Sequence, residues 1–425
     1  MTILALVVFL GVLIAAGQPI AFALGTIGVV ALVWFNLPTN LVGQTIYSVL
    51  DNTAWAAIPL YLLMGELLVK SGIAKDIFSA IHVWTRHIPG GLGVATVITA
   101  AFFAAVSGTS IGTVAALAAV TVPEMISRGY RPSFAYGCLA AAGTLGILIP
   151  PSITMIIYGM VTQESIPHLF LAGVIPGILL AGVMCAYCVF YSLVYQREVL
   201  EPRSTWQERL RESSRAGWGI GLIALVLGGL YSGLFTVTES AAYGALVSLI
   251  LALVVYRSLN WSSFVSAVQN TALSSCMILT IIALASLFGS AINVLHIPQN
   301  VSAAILDWDI ANWVVIVFFN IILFVMGQFL DVPSIMLITL PIFYPAVTGL
   351  EFNAIWFAVI MTMNMEVATI TPPVGLNIYV LKGAVQDAEL KQIVLGCLPF
   401  VGLIMAVMLI VGIFPQLALW LPSVL

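Results

Sequence analysis

Two long apolar segments of this chain each carry a Pro-Pro pair in their middle. The first runs Gly143-Thr-Leu-Gly-Ile-Leu-Ile-Pro-Pro-Ser-Ile-Thr-Met-Ile-Ile-Tyr-Gly159. The second runs Ala368-Thr-Ile-Thr-Pro-Pro-Val-Gly-Leu-Asn-Ile-Tyr-Val-Leu-Lys-Gly383. A proline inside a helix removes a backbone hydrogen bond and clashes with the preceding turn, and the residue before it leaves the α region. Two in succession break the helix. In a bilayer, freed backbone groups survive only where protein buries them or where they line a cavity. A broken helix in each half is therefore the sequence signature of a transporter site built from internal repeats.

The environment follows from composition. Hydrophobic residues make up 62% of the chain and charged residues 7%, against roughly a quarter charged in soluble domains. Many runs reach the roughly 20 apolar residues a crossing needs, so the chain reads as a polytopic helical membrane protein. The first 17 residues lack a basic start and a small-residue cleavage site and read as a span, not a removed signal. Cys138, Cys185, Cys188, Cys276 and Cys397 all lie in apolar runs and read as packing residues.

In order, spans are expected at 2–17, 20–36 and 55–70, with a surface helix at 75–87. Two runs too short for full crossings, 92–106 and 111–126, flank Ser107-Gly108-Thr109-Ser110. They read as a re-entrant hairpin (about 92–126). A broken helix at 132–162 and a span at 169–195 complete a first repeat, 1–196. Residues 197–215, the most charged segment, read as a cytoplasmic amphipathic linker. The second repeat, 216–425, has spans at 216–234, 238–256 and 270–292, with a surface helix at 260–268. A second hairpin (about 312–347) turns at Gly327–Ser334, and a broken helix at 352–383 and a span at 390–413 follow.

A hairpin returns to its own side, so each repeat crosses five times and the second is inverted. With Met1 outside, all 13 Lys and Arg residues, from Lys70 to Lys391, fall on the cytoplasmic side or its boundary. Acids such as Asp51, Glu164, Asp307, Asp309 and Glu351 fall opposite, and both termini are expected in the periplasm. The first hairpin then enters from the cytoplasm and the second from outside.

A hairpin tip presents a helix N-terminus in mid-membrane, where free N–H groups and the dipole attract anions. Ser107, Gly108, Thr109 and Ser110 at one tip, with Asp331 and Ser334 at the other, are the candidate substrate-binding residues. Asp331 or Ser334 is expected to cap the returning arm, with Pro333 in its first turn. Unwound carbonyls and hydroxyls are hard oxygen ligands suited to Na⁺. The candidates are Ser107, Ser110, Gly146, Ile149 and Pro150 in the first half, and Gly327, Asp331, Thr369 and Thr371 in the second. The bland readings are helix packing by small residues for Ser107–Ser110 and capping alone for Asp331. Glu66, Glu239 and Glu366 lie in or beside apolar runs, where structural hydrogen bonds compete with a transport role. His82, His87, His168 and His296 read as interfacial.

With these features in place, the chain resembles the large membrane subunit of tripartite ATP-independent periplasmic (TRAP) transporters over essentially its full length. The resemblance rests on the Ser107–Ser110 tip, Leu148-Ile-Pro-Pro-Ser152 and Gly233-Leu-Phe-Thr-Val-Thr-Glu-Ser-Ala-Ala242. The Gly327–Ser334 tip and Thr369-Ile-Thr-Pro-Pro-Val-Gly375 complete it. Thr236-Val-Thr-Glu-Ser240 departs slightly from the family's Thr-Pro-Thr-Glu-Ala. The resemblance implies an elevator-type fold importing a small organic acid, such as a C4-dicarboxylate or sialic acid, on the Na⁺ gradient across the bacterial inner membrane. It also implies a periplasmic substrate-binding protein and a small four-helix membrane subunit as partners. No nucleic-acid partner and no organic cofactor are expected. The rivals are an ion channel and an intramembrane serine protease, for which Ala105-Val-Ser-Gly108 is the only motif and no His lies in mid-span to activate the serine.

Overall fold

The computed structural model describes residues 2–195, 202–306 and 310–424, and every long element among them is helical. Helices α1 (Thr2–Ala15), α2 (Ile20–Trp34), α3 (Asn40–Leu50), α4 (Ala57–Ser71) and α5 (Ile73–Thr85) lead into a helical hairpin, α6 (Gly91–Ser107) and α7 (Ser110–Ser127). A broken helix follows, α8 (Pro132–Thr144) and α9 (Ile153–Thr162), and α10 (Ile166–Tyr195) ends the first half. The second half has α11 (Trp206–Tyr231), α12 (Val237–Ile250), α13 (Trp261–Val294) and α14 (Ile297–Leu306). Its hairpin is α15 (Asn312–Gly327) and α16 (Val332–Gly349), and its broken helix is α17 (Ala354–Thr369) and α18 (Leu376–Ala384). Helices α19 (Leu390–Ile413) and α20 (Gln416–Val424) close the described chain. Eight of the described helical segments are long and apolar enough to cross a membrane.

Several expected boundaries differ. The segment Trp206–Arg215 is not a separate linker helix but the first part of α11, started by the reciprocal Thr205–Glu208 capping box and continued because no proline interrupts it. The surface helix expected at 260–268 is likewise the start of the 34-residue α13. Helices α3, α14 and α20 are short and were not anticipated. Arg197, Asp307 and Asp309 lie outside the described residues.

Two packed groups organise the chain. The long α13 lies against α2, α3 and α4, while α12 packs on α4 and α11 on α5. The other group holds the broken helices: α8 packs on α19, α6 and α7, and α17 packs on α15, α19 and α10. The first halves of the two broken helices are the most enclosed elements, with every residue of Phe134–Thr144 and of Trp356–Thr369 buried. In α8 this follows from composition. Lipid gives no hydrophobic drive for helix association, so close packing through small side chains must supply it, and Ala140-Ala-Ala-Gly143 lets neighbours approach.

The α8–α19 crossing is the tightest. A Cβ at Gly137 would overlap the Gly396 carbonyl, and one at Gly396 would overlap the Ser133 carbonyl. Gly396→Ala should therefore lower the melting temperature of the purified protein, since overpacking costs about 1–3 kcal/mol. Gly402→Ala on the same helix, with nothing within 4 Å of the new methyl, should leave it unchanged or raised.

Candidate functional site

Each hairpin tip docks on the break in its own half. At the first tip, Gly108 adopts the left-handed conformation (φ +62) and ends α6. Thr109 then caps α7, its hydroxyl accepting from the Gly112 N–H at 3.2 Å. The Gly108 carbonyl accepts from the Ile153 N–H at 3.3 Å, joining the tip to the start of α9. Gly146 permits this approach, because a Cβ there would stand 2.5 Å from the Thr109 carbonyl oxygen. The tip residues Gly108, Thr109 and Ser110 are thus brought against Gly146 and Pro151, next in the chain to Pro150, while the Ile149 side chain lies against Gly177 of α10.

The second tip repeats the joint with other residues. The Gln328 carbonyl accepts from the Val374 N–H at 3.2 Å, just beyond the second Pro-Pro pair. A Cβ on Gly327 would overlap the Ala368 side chain. Gly327 and Gln328 therefore sit against the break that holds Thr369 and Thr371. Both Pro-Pro bonds are cis. Where α9 starts with Ser152, whose hydroxyl accepts from the Met155 N–H, α18 starts with left-handed Gly375.

Asp331 does occupy the capping position of α16, but its side chain takes no backbone N–H. Instead the Ser334 hydroxyl donates to Asp331 Oδ1 at 2.6 Å, leaving Oδ2 buried without a partner. The capping expectation fails because Ser334, one turn on and wholly buried, reaches the carboxylate first. The Ser107 hydroxyl meets Thr113 Oγ1 at 2.9 Å and donates to the Thr109 carbonyl at 3.2 Å. Thr369 donates to the Glu366 carbonyl at 2.9 Å and Thr371 to that of Val367. A hydroxyl that donates its proton keeps its lone pairs, so these oxygens remain able to face a cation. Among the described residues no group of three or more His, Cys, Asp or Glu could hold a metal ion, and the oxygens at the two joints are mostly those of neutral hydroxyls and carbonyls.

Sequence reasoning missed Asn377. This wholly buried residue of α18 donates from Nδ2 to Ser110 Oγ at 2.6 Å and to the Ala140 carbonyl at 3.0 Å, and Ser110 donates back to its Oδ1 at 2.9 Å. One side chain therefore ties the second broken helix to the first tip and the first broken helix. Its only sequence signal was a single amide in an apolar helix. A similar amide pair, Asn364 Nδ2 to Asn320 Oδ1 at 3.0 Å, links α17 to α15. Glu66 accepts from Asn270 at 3.3 Å and Glu239 completes a capping box with Thr236, both structural roles.

Two cavities flank the hairpins. One of about 840 Å³ lies between α5, α7 and the start of α11, with Lys75, His82, Arg86, Glu124, Glu208 and Arg211 in its wall. Arg86 pairs there with Glu208 at 3.0 Å. The other, about 340 Å³, lies between α13, α9 and α16 and is lined by uncharged groups such as Ser48, Asn52, Gln163 and Ser290.

Paired broken helices, each held by a docked hairpin inside a bundle of apolar spans, define a polytopic membrane transporter. Comparison with known proteins narrows the class. Residues 6–417 match the family model of the tripartite ATP-independent periplasmic transporter, DctM component. The C4-dicarboxylate TRAP transporter large permease protein DctM of Pseudomonas aeruginosa is 36% identical over 367 residues, 86% of each chain. The isethionate TRAP transporter permease protein DctMQ of Oleidesulfovibrio alaskensis is 31% identical over 422 residues, 97% of this chain and 65% of that longer protein. The YdaH transporter of Alcanivorax borkumensis shares the fold, with a TM-score of 0.59 at 14% identity over 89% of this chain and 88% of that one. The chain belongs to the DctM family and is a large permease subunit of a TRAP transporter, not an enzyme.

If Asn377 joins the halves through Ser110, their substitutions must couple. Ser110→Ala and Asn377→Ala should each lower stability by about 1–3 kcal/mol. The double variant should fall short of their sum by at least about 0.5 kcal/mol in melting experiments, the coupling expected of residues in contact.

Proposed function

We propose that this permease imports a small organic acid, a C4-dicarboxylate or sialic-acid-like carboxylate, across the bacterial inner membrane, driven by Na⁺ bound where each hairpin tip meets its break. The observation that carries this reading is the repeated joint, Gly108 to Ile153 in one half and Gln328 to Val374 in the other. Each joint gathers hydroxyl and carbonyl oxygens beside a helix N-terminus, with no Lys or Arg in either tip or break. Without a cationic side chain, an anion must be balanced by helix dipoles and co-bound cations. The names of the dicarboxylate and isethionate relatives, both small anions, agree with that charge logic.

In this reading the halves are inverted repeats, and the hairpins with the broken helices move as one elevator block against the α13 group. The first hairpin opens to the cytoplasm. The cavity beside it is the larger of the two and carries Lys75, Arg86 and Arg211 alongside Glu124, Glu208 and Glu212. A periplasmic binding protein delivers the substrate and a small four-helix subunit braces the permease. The extra length of the DctMQ relative leaves room for such a subunit on the same chain.

Uptake into proteoliposomes containing this chain and its cognate partners should require an inward Na⁺ gradient. Equal uptake with choline on both sides contradicts Na⁺ coupling. Asp331→Asn should fold and insert normally yet lose at least about tenfold in uptake, the effect of about 1.4 kcal/mol in cation affinity. Exposed Asp51→Asn should be nearly silent. Normal uptake by Asp331→Asn would return that residue to a structural role.

A further inference from the structure

The larger cavity is lined by none of the tip or break residues, so it is a place apart from the two joints. Its volume of about 840 Å³ lies within the roughly 300–1,000 Å³ of pockets that take small ligands. One wall is firmly built. Arg86 of α5 donates from Nε to the Pro202 carbonyl and from its guanidinium to Glu208, both at 3.0 Å. The Trp84 indole donates to Ser213 Oγ at 3.1 Å, and the Ser204 hydroxyl donates to the Val83 carbonyl. Arg209, which donates to Ser204 Oγ at 3.1 Å, lies 4.7 Å from the Trp84 ring and 5.4 Å from that of Trp206. These contacts pin α5 to the segment that opens α11. The opposite wall is α7, the returning arm of the first hairpin, with Pro123 and Glu124 in the lining.

The lining mixes signs, and pairing decides which sign is left over. Glu208 accepts from Arg86 and from the Thr205 N–H, both at 3.0 Å. Glu124 pairs with Arg128 one turn along α7 at 2.9 Å, and Glu212 pairs with Arg215 at 3.4 Å. Every carboxylate of the lining therefore has an arginine, and Arg128 and Arg215 come from outside the lining. Among the described residues, Lys75 of α5 and Arg211 of α11 have no carboxylate partner. His82, stacked on Phe78, is the one further titratable group there. Two cations from different helices thus edge one void with no acid left to balance them. An arginine fork and a lysine point charge are the pair that recognises carboxylate or phosphate oxygens.

We propose that Lys75 and Arg211 form an anion site in this cavity, separate from the tip–break joints, that takes the oxygens of a carboxylate or phosphate group. Its placement on the cytoplasmic side rests on the topology proposed above; the binding does not. A free anion and the headgroup of an anionic phospholipid present the same oxygens to it.

The probe is inorganic phosphate, followed by the broadening of its phosphorus NMR line when the full chain is added in a phosphorus-free detergent, at constant ionic strength and without Na⁺. Wild type should broaden the line. Lys75→Gln and Arg211→Gln should each weaken binding by about two- to fivefold, the worth of one exposed charge pair. Lys75→Arg, which keeps the charge, should bind as wild type does. So should Asp331→Asn, which separates this site from the joints and from Na⁺ coupling. Displacement of phosphate by phosphatidylglycerol but not by phosphatidylcholine assigns the occupant as a lipid headgroup, and displacement by neither assigns it as a free anion. No broadening by wild type, or broadening unchanged in both glutamine variants, overturns the proposal.

Discussion

The structure depends on satisfying backbone that two prolines have set free. At each Pro-Pro pair the helix loses its own hydrogen bonds in a place where no lipid can replace them. The hairpin tips meet that need: the carbonyls of Gly108 and Gln328 take the N–H groups of Ile153 and Val374. Each hairpin turns where it meets the break of its own half. The small residues at the joints, Gly146 and Gly327, follow from the same demand, since a side chain at either would hold tip and break apart.

Once tip and break are joined, the chemistry is largely determined. Short hydroxyl side chains satisfy each other and nearby carbonyls while keeping their own lone pairs, as at Ser107, Thr369 and Thr371. Asp331 is held on one oxygen by Ser334 and left with the other unpartnered. Asn377 then links the halves through Ser110 and Ala140. That one buried amide is the direct polar link between the two halves at this point, and such groups are costly to leave unpaired.

The backbone plan was legible in the sequence where a physical rule had one outcome. Runs of 92–106 and 111–126 around Ser-Gly-Thr-Ser gave a hairpin seen at Gly91–Ser107 and Ser110–Ser127. Proline pairs gave the breaks. What was not legible depended on rotation and long-range pairing. Whether Asp331 caps its helix or binds Ser334 is a choice between partners a turn apart. Asn377 finds Ser110 across 267 residues of sequence. The linker expected up to 215 and the surface helix expected at 260–268 differ for another reason: polarity changes there without a proline, so α11 and α13 run straight through. The short α3, α14 and α20 carry no long apolar run to announce them.

The account stands on the two hairpins entering the membrane from opposite sides. Single cysteines at exposed Ser214 of α11 and exposed Asn300 of α14, in a chain lacking its five native cysteines, test this directly. An impermeant thiol reagent applied from the periplasmic side should label the Asn300 position at once and the Ser214 position only after the membrane is opened. Labelling of both from that side, or of Ser214 alone, would contradict the inverted arrangement.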